Sequence, residues 1–479
     1  LNFINKSDKP SLMLSLAPII LLLASLVTLI AVVGASSVQD YSYIILLTAS
    51  AVAIILSLCF TRKTTGDIVA GIKRSSSQIL STVPILVFIG TLSATWMLSG
   101  VVPTFISYGL HFLNPTLFLV TCCVTCAVIS VVTGSSWTTV ATIGVAFMGI
   151  GEVMGYSQAW IAGAIISGAY FGDKVSPLSD TTVLASSSGG VELFTHIRFL
   201  MLTTIPALVV ALIVYMLVGF STDVISAGGA EAMSADLEST FNITPWLMLI
   251  PAVTVVMIGL RVSTWLTLVV GSLAGLLGVY VFQPQIVSQI ADNGFAAAMN
   301  ILLTETSLVT GNELLDSLVS TGGVAGMLPT VWLVLSAMVF GGVLIGTGML
   351  RSIGDAFTHR LHSSRNVVGA TVGSGLFLNA CTGDQYLSII ICGNIYRDVY
   401  SRCSLKPQVL TRALEDSVSV TSVLIPWNSC GITQSTVLGV ATLAYLPCCI
   451  FNLMSPLMSL MMAWVGWRVR ALVPEKVAA

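Results

Sequence analysis

The chain has 479 residues, of which 55% are hydrophobic and 8% charged, against roughly 25% charged in a typical soluble domain. With a mean hydropathy of +0.96, that composition excludes a soluble globular protein. The net charge of −2 excludes the basic surface a nucleic-acid binder needs. Many apolar runs reach the ~20 residues that cross ~30 Å of hydrocarbon, so the chain reads as a polytopic helical membrane protein. The ten cysteines lie mostly inside those runs without metal-ligand spacing, and read as small buried hydrophobes rather than a disulfide framework.

In chain order, residues 12–33 form a first span, too long and with too weak a cleavage site for a signal peptide. Lys6 and Lys9 precede it, and Arg62, Lys63, Lys73 and Arg74 follow the second span near 42–61, so both positions are expected on the cytoplasmic side. No Lys or Arg occurs from 75 to 173. His196 and Arg198 mark a return inside before a span at 199–220. The acidic loop 221–245 is expected outside, with spans near 246–260 and 263–282 turning at Arg261. The stretch 283–325 is again outside, and a span at 327–350 leads to a basic cluster at Arg351, Arg360, Arg365, Arg397, Arg402, Lys406 and Arg412. Arg468, Arg470 and Lys476 put the C-terminus inside, giving about ten crossings with both termini cytoplasmic.

Two segments repeat weakly. Thr133-Gly134 and Thr382-Gly383 each precede an aromatic residue three positions after the glycine, and each ends a short apolar run. Each reads as the tip of a re-entrant hairpin, the first from outside and the second from the cytoplasm, because the flanking basic charge is reversed. Each is followed by a broken helix: residues 172–182, Gly-Asp-Lys-Val-Ser-Pro-Leu-Ser-Asp-Thr-Thr, and a helix carrying Asp416 that breaks at Pro426-Trp427-Asn428-Ser429. Asp173 with Ser176 is expected to correspond to Asp416 with Ser419. Charges at membrane depth cost about 2.5–3.5 kcal/mol each even on lenient scales, so Asp173, Lys174 and Asp180 mark an ion pathway. The fold expected is all-α, with two inverted-topology repeats, re-entrant hairpins and broken transmembrane helices. The divisions are N-terminal spans at 1–65, a first repeat at 66–220, an external loop and connecting spans at 221–312, a second repeat at 313–467 and a tail at 468–479.

The segment 172–182, followed by His196-Ile197-Arg198, resembles the signature of the NhaC-type Na+/H+ antiporter family. Gly134-Ser135-Ser136-Trp137, Gly383-Asp384-Gln385-Tyr386 and Pro426-Trp427-Asn428-Ser429-Cys430-Gly431 are similar to its other blocks, in order, over roughly residues 60–465. The resemblance implies a secondary transporter of the cytoplasmic membrane with paired inverted repeats and elevator-like access. It implies Na+ and H+ as transported ions, with no cofactor and no enzyme activity. Val183 stands where Asn is common and Thr138 where Gly is common. Relatives in the wider superfamily include Na+-coupled carboxylate and amino-acid exchangers, so such an exchanger is the alternative, with a small carboxylate or amino acid as partner. A homodimer is left open.

Na+ is a hard cation and calls for carboxylate, hydroxyl and carbonyl oxygens. Asp173 is the first choice for a carboxylate shared by Na+ and H+, then Asp180 and Asp384, with Asp416 favoured by its expected repeat relation to Asp173. Thr133, Ser135, Ser136, Ser179, Thr181, Asn428 and Ser429 are the neutral candidates, and Asp173, Ser135 and Asn428 the proposed Na+ ligands. Lys174 is expected either to neutralise Asp173 or Asp180 or to meet an anionic substrate. An intramembrane aspartyl protease is excluded, because neither Gly172-Asp173 nor Gly383-Asp384 lies in a Gly-x-Gly-Asp context.

Overall fold

The computed structural model describes residues 9–33, 38–79, 82–112, 114–222, 227–260, 262–308, 319–358 and 363–466. Lys6, Asp223, Arg261, Arg360, Arg468, Arg470 and Lys476, which support part of the expected sidedness, lie outside the described residues. The chain is a polytopic all-α membrane protein. Among the described residues six helices are long and apolar enough to cross a membrane, and up to ten spans result if each bent pair is one.

The helices run in this order: α1 (Leu12–Val33), α2 (Val38–Phe60), amphipathic α3 (Thr65–Ile79), α4 (Thr82–Leu98), α5 (Val101–Phe112), α6 (Phe118–Thr133), α7 (136–153), α8 (Gln158–Val175), α9 (Asp180–Gly189) and α10 (Leu193–Ser221). A connecting group follows: α11 (Ala227–Thr240), α12 (Leu249–Gly259), α13 (Thr264–Phe282), α14 (Pro284–Ile290) and α15 (Gly294–Leu303). The remainder is α16 (Leu328–Gly346), α17 (Met349–Thr358), α18 (Ser364–Thr382), α19 (Gln385–Arg402), α20 (407–419), α21 (Ser429–Leu438) and α22 (Ile450–Val465). Gly71 of α3 lies against the backbone of Gly342 and Gly346 of α16, a close approach that only small residues permit.

Both Thr-Gly motifs turn the chain back on itself. Gly134 and Gly383 adopt left-handed φ values of 68° and 65°, which glycine reaches without steric cost. The next residue caps the returning arm. Ser135 Oγ accepts from the Thr138 amide at 3.2 Å, and Asp384 Oδ1 from the Leu387 amide at 2.8 Å. The preceding threonines accept from the amides of Ser135 and Asp384, both at 3.2 Å. At the mouth of the first hairpin, the Tyr156 hydroxyl donates to the Pro115 carbonyl at 2.8 Å and its ring stacks on Phe118. At the second, Thr371 Oγ1 meets the Tyr400 hydroxyl at 3.1 Å and Ser374 Oγ the Tyr396 hydroxyl at 2.7 Å. Pro115–Thr133 is long enough to cross by itself, where a short run reaching part-way or barely across is expected from the sequence. Its hairpin character comes from these closing contacts.

The second copy follows the first at a constant separation of 249 residues. Gly134 matches Gly383, Pro177 in one break matches Pro426 in the other, and the left-handed Gly190 after α9 matches Gly439 after α21. This register corrects the expected pairing of Asp173 with Asp416. Asp173 corresponds to Ser422, and Asp416 to Ser167. Breaks and caps set the alignment, and the shared Asp-x-x-Ser spacing is coincidental.

Broken helix α8–α9 starts at the mouth of the first hairpin, where Gln158 Nε2 donates to Glu152 Oε1 at 2.9 Å. It ends at the second mouth, with Gly189 against Thr411 and Pro407 and Gly190 against Arg397. Broken helix α20–α21 starts there, at Pro407, and ends at Leu438 and Gly439, which share a cavity with Glu152 and Gln158. The two broken helices are therefore antiparallel, and the hairpins insert from opposite ends. Cysteines placed at the exposed positions Ser157 and Arg402 are expected to react with an impermeant thiol reagent from opposite faces, outside and cytoplasmic respectively. Labelling of both from one face would contradict this topology.

Candidate functional site

Each hairpin tip rests on the break of its own copy. A side chain on Gly134 would overlap Leu178, and one on Gly383 would overlap Ala337 and approach the Trp427 carbonyl, so each tip approaches its neighbour closely. Along α8, Gly168 and Gly172 bring its backbone onto that of α6, where Ser130 Oγ donates to the Ala169 carbonyl at 2.6 Å. The result is a rigid frame that holds Asp173, the last but two of α8, beside the tip.

Asp173 is buried and held by neutral donors of Ser136 and Ser179. Ser136 Oγ donates to Oδ2 at 2.6 Å and Ser179 Oγ to Oδ1 at 2.5 Å. Thr181 Oγ1 lies 3.0 Å from Ser179 Oγ, extending the oxygen cluster. Asp180 opens α9 on the exposed side, where a negative charge suits a helix N-terminus. The hydroxyl of Tyr170 and Nε1 of Trp137 both lie beside the Cys430 thiol.

In the second copy, Asp384 is buried and spends Oδ1 on the cap of α19, with Ser429 Oγ at 3.5 Å from Oδ2. Ser422 Oγ donates to Gln385 Oε1 at 3.2 Å, and Tyr386 lies within electrostatic range of Asp173, Asp180 and Asp384.

Lys174 points elsewhere. Its ammonium donates to Asp416 Oδ1 and, at 2.8 Å, to Ser455 Oγ, while Ser455 and Thr203 donate to the same carboxylate oxygen at 2.7 and 3.2 Å. Arg412 Nε lies 4.0 Å from Asp416 Oδ2, and its guanidinium stacks over Phe199. The expectation that Lys174 neutralises Asp173 or Asp180 is thereby corrected. Adjacent residues on a helix diverge by about 100°, so Asp173 faces the tip and Lys174 faces α20 and α22. Glu415 is fully buried beside this cluster, and α20 adopts π geometry at Glu415–Ser419, a distortion common at functional sites.

The remaining expected residues serve the backbone. Ser135 and Thr133 hold the first tip. Asn428 Oδ1 accepts from the Cys430 amide at 3.1 Å while Nδ2 donates to the Asn379 carbonyl at 3.2 Å. Thus, of Asp173, Ser135 and Asn428, only Asp173 turns its oxygens toward the Ser136–Ser179 cluster. Thr203, Ser455, Tyr170, Gln385 and Cys430 were not singled out individually from the sequence. Outside the apolar segments, the hydroxyl and amide of Thr195 bind Glu192 at the start of α10 and hold its carboxyl below the usual range.

Opposed hairpins and antiparallel broken helices around a buried carboxylate define the architecture of a secondary transporter. The chain matches the Na+/H+ antiporter family over residues 7–187 and 168–467. It is 37% identical to the Na+/H+ antiporter NhaC of Alkalihalophilus pseudofirmus, over 80% of this chain and 81% of that protein. It is 39% identical to a malate-2H+/Na+-lactate antiporter of Bacillus subtilis, over 80% of each, and 35% identical to an arginine/ornithine antiporter of Halobacterium salinarum, over 85% and 83%. The chain belongs to the Na+/H+ antiporter family.

Removing one member of a buried ion pair costs about 3–5 kcal/mol, because the other charge is left without compensation. Lys174→Met is therefore expected to lower the thermal unfolding midpoint in detergent. Lys174→Met combined with Asp416→Asn should recover most of the loss. Recovery from Lys174→Met with Asp173→Asn instead would assign the lysine to Asp173.

Proposed function

We propose that this chain exchanges Na+ for H+ across the cytoplasmic membrane, with the Asp173 carboxylate holding the two ions in turn. The observation that carries this reading is that the oxygens of Asp173 are held by neutral donors of Ser136 and Ser179, while Lys174, the adjacent cation, is bound to Asp416. A buried carboxylate without a cation is costly when ionised. A proton or a Na+ removes that cost, and one group cannot hold both. Ser136 and Ser179 can each rotate the hydroxyl hydrogen away and offer a lone pair, so Asp173, Ser136 and Ser179 form an oxygen set suited to a hard monovalent ion. Thr181 can join by the same rotation.

Alternating access follows if the tips, breaks and charge cluster move as one body past the remaining helices. The tip–break contacts at Gly134 and Gly383 support such a unit. The empty, ionised site is the state that should not cross, and this makes the exchange obligatory. Both termini are taken to be cytoplasmic.

A second reading, Na+-coupled exchange of an organic acid, is favoured by the 39% identity to the malate-2H+/Na+-lactate antiporter. An anionic substrate at Asp173 would need a free cation there. Lys174 and Arg412 both face Asp416, which weighs toward the simpler exchange.

In proteoliposomes, Asp173→Asn is expected to abolish Na+-dependent proton movement while the protein still folds, since Asn keeps an oxygen but cannot exchange a proton. Wild-type rates retained in that variant would assign the exchange to another group. Na+/H+ exchange should also proceed without carboxylates or amino acids, and an absolute requirement for one of them would favour the second reading.

Competition at one carboxylate also sets the pH dependence. Below the pKa of Asp173 each unit fall in pH should raise the half-saturating Na+ concentration about tenfold, equal to ~1.36 kcal/mol, and above it the value should level off. A half-saturating concentration independent of pH from about 6 to 9 would contradict a shared site.

A further inference from the structure

A cavity of about 400 Å³ lies between α4, α7 and the segment 320–327, at the mouth of the first hairpin. It is separate from the Asp173 site. Among the described residues Glu152 is its one ionisable lining residue, with Ser93, Ser320, Thr321 and Thr436 as hydroxyl neighbours. The carbonyl end of α21 closes one side at Leu438 and Gly439, adding the negative end of a helix dipole. The walls come from stretches 75–173, 262–350 and 413–467, which contain no Lys or Arg. Gln158 donates to one oxygen of Glu152 and so orients the carboxylate, which is half-buried at the rim.

Ser136, which binds Asp173, and Glu152 stand at opposite ends of α7. Their 16-residue separation corresponds to about 24 Å at 1.5 Å per residue. At that distance Glu152 cannot touch an ion held at Asp173, so the two carboxylates are separate positions along the helix.

We propose that this cavity is the outer vestibule for a small monovalent cation, with Glu152 concentrating the cation at its mouth. The proposal deepens the Na+ reading of the Asp173 site and rests on it for the identity of the ion. A low-dielectric wall with one sign of charge focuses the field and raises the local concentration of the opposite ion. Loss of one such charge at contact distance in water changes that concentration about three- to fivefold.

Two measurements test it. The first is made on Ser93→Cys in full-length protein with Cys59 and Cys403 replaced by serine, using methanethiosulfonates bearing a trimethylammonium or a sulfonate group, applied from outside. Relative to a free thiol, the cationic reagent should react faster than the anionic one, and Glu152→Gln or high salt should reduce that ratio several-fold. An unreactive cysteine, or a ratio unchanged by Glu152→Gln, would overturn the proposal. The second is the half-saturating Na+ concentration, expected to rise about three- to fivefold on the outer face in Glu152→Gln and to stay unchanged on the cytoplasmic face, with Glu152→Asp restoring it. A change equal on both faces, or none, would overturn it. Failure of the wild type to move Na+ would count against the Asp173 reading, while the thiol reaction would still judge the vestibule.

Discussion

A carboxylate buried among hydroxyls and denied a positive neighbour is the constraint around which this protein is organised. Asp173 carries only the donors of Ser136 and Ser179, although a lysine follows it directly in the chain. Turning Lys174 to the other face of α8, onto Asp416, is what leaves the carboxylate electrically open. An ion pair between neighbours in sequence would have neutralised the site and removed any reason for it to bind a cation. Placing the pair 242 residues apart in sequence also ties the first copy to the second.

The hairpins and breaks supply what the carboxylate needs. Many hydroxyls of a straight helix return to its own carbonyls, and here the donors come instead from chain that leaves the helix. The tip at Gly134 brings Ser136 to the carboxylate from outside α8, and the break at Ser176–Ser179 brings Ser179 to it from beyond the end of that helix. Glycines at 134, 168 and 172 allow the close approaches involved. The second copy uses the same tip and break but puts Asp at the cap position and Ser where the first copy has the central Asp. The two copies therefore share a frame and differ in chemistry.

Much of this was legible in the sequence because it rests on local signals. Composition gives the membrane class, Thr-Gly gives the tips, Pro177 and Pro426 give the breaks, and Asp173 stands out through the cost of a charge in hydrocarbon. Reversed flanking charge points to opposed hairpins, and the courses of the two broken helices run antiparallel between the hairpin mouths. What escaped depends on rotation and on distant partners. Ser135 and Asn428 lie within a few residues of the tips and breaks, yet their side chains cap helices. Ser455 and Thr203 bind the Lys174–Asp416 pair from helices whose sequences carry no sign of it. The short Asp-x-x-Ser pattern that pairs Asp173 with Asp416 lies six residues off the register that the caps and breaks set.

The most direct measurement of the central claim is calorimetric titration of Na+ into the detergent-solubilised protein, repeated in buffers of different ionisation enthalpy to count protons released. One carboxylate serving both ions predicts release that approaches one proton per Na+ at low pH and falls to zero as pH rises, and that is lost in Asp173→Asn. Na+ binding without proton release at any pH, or release that persists in that variant, would contradict it.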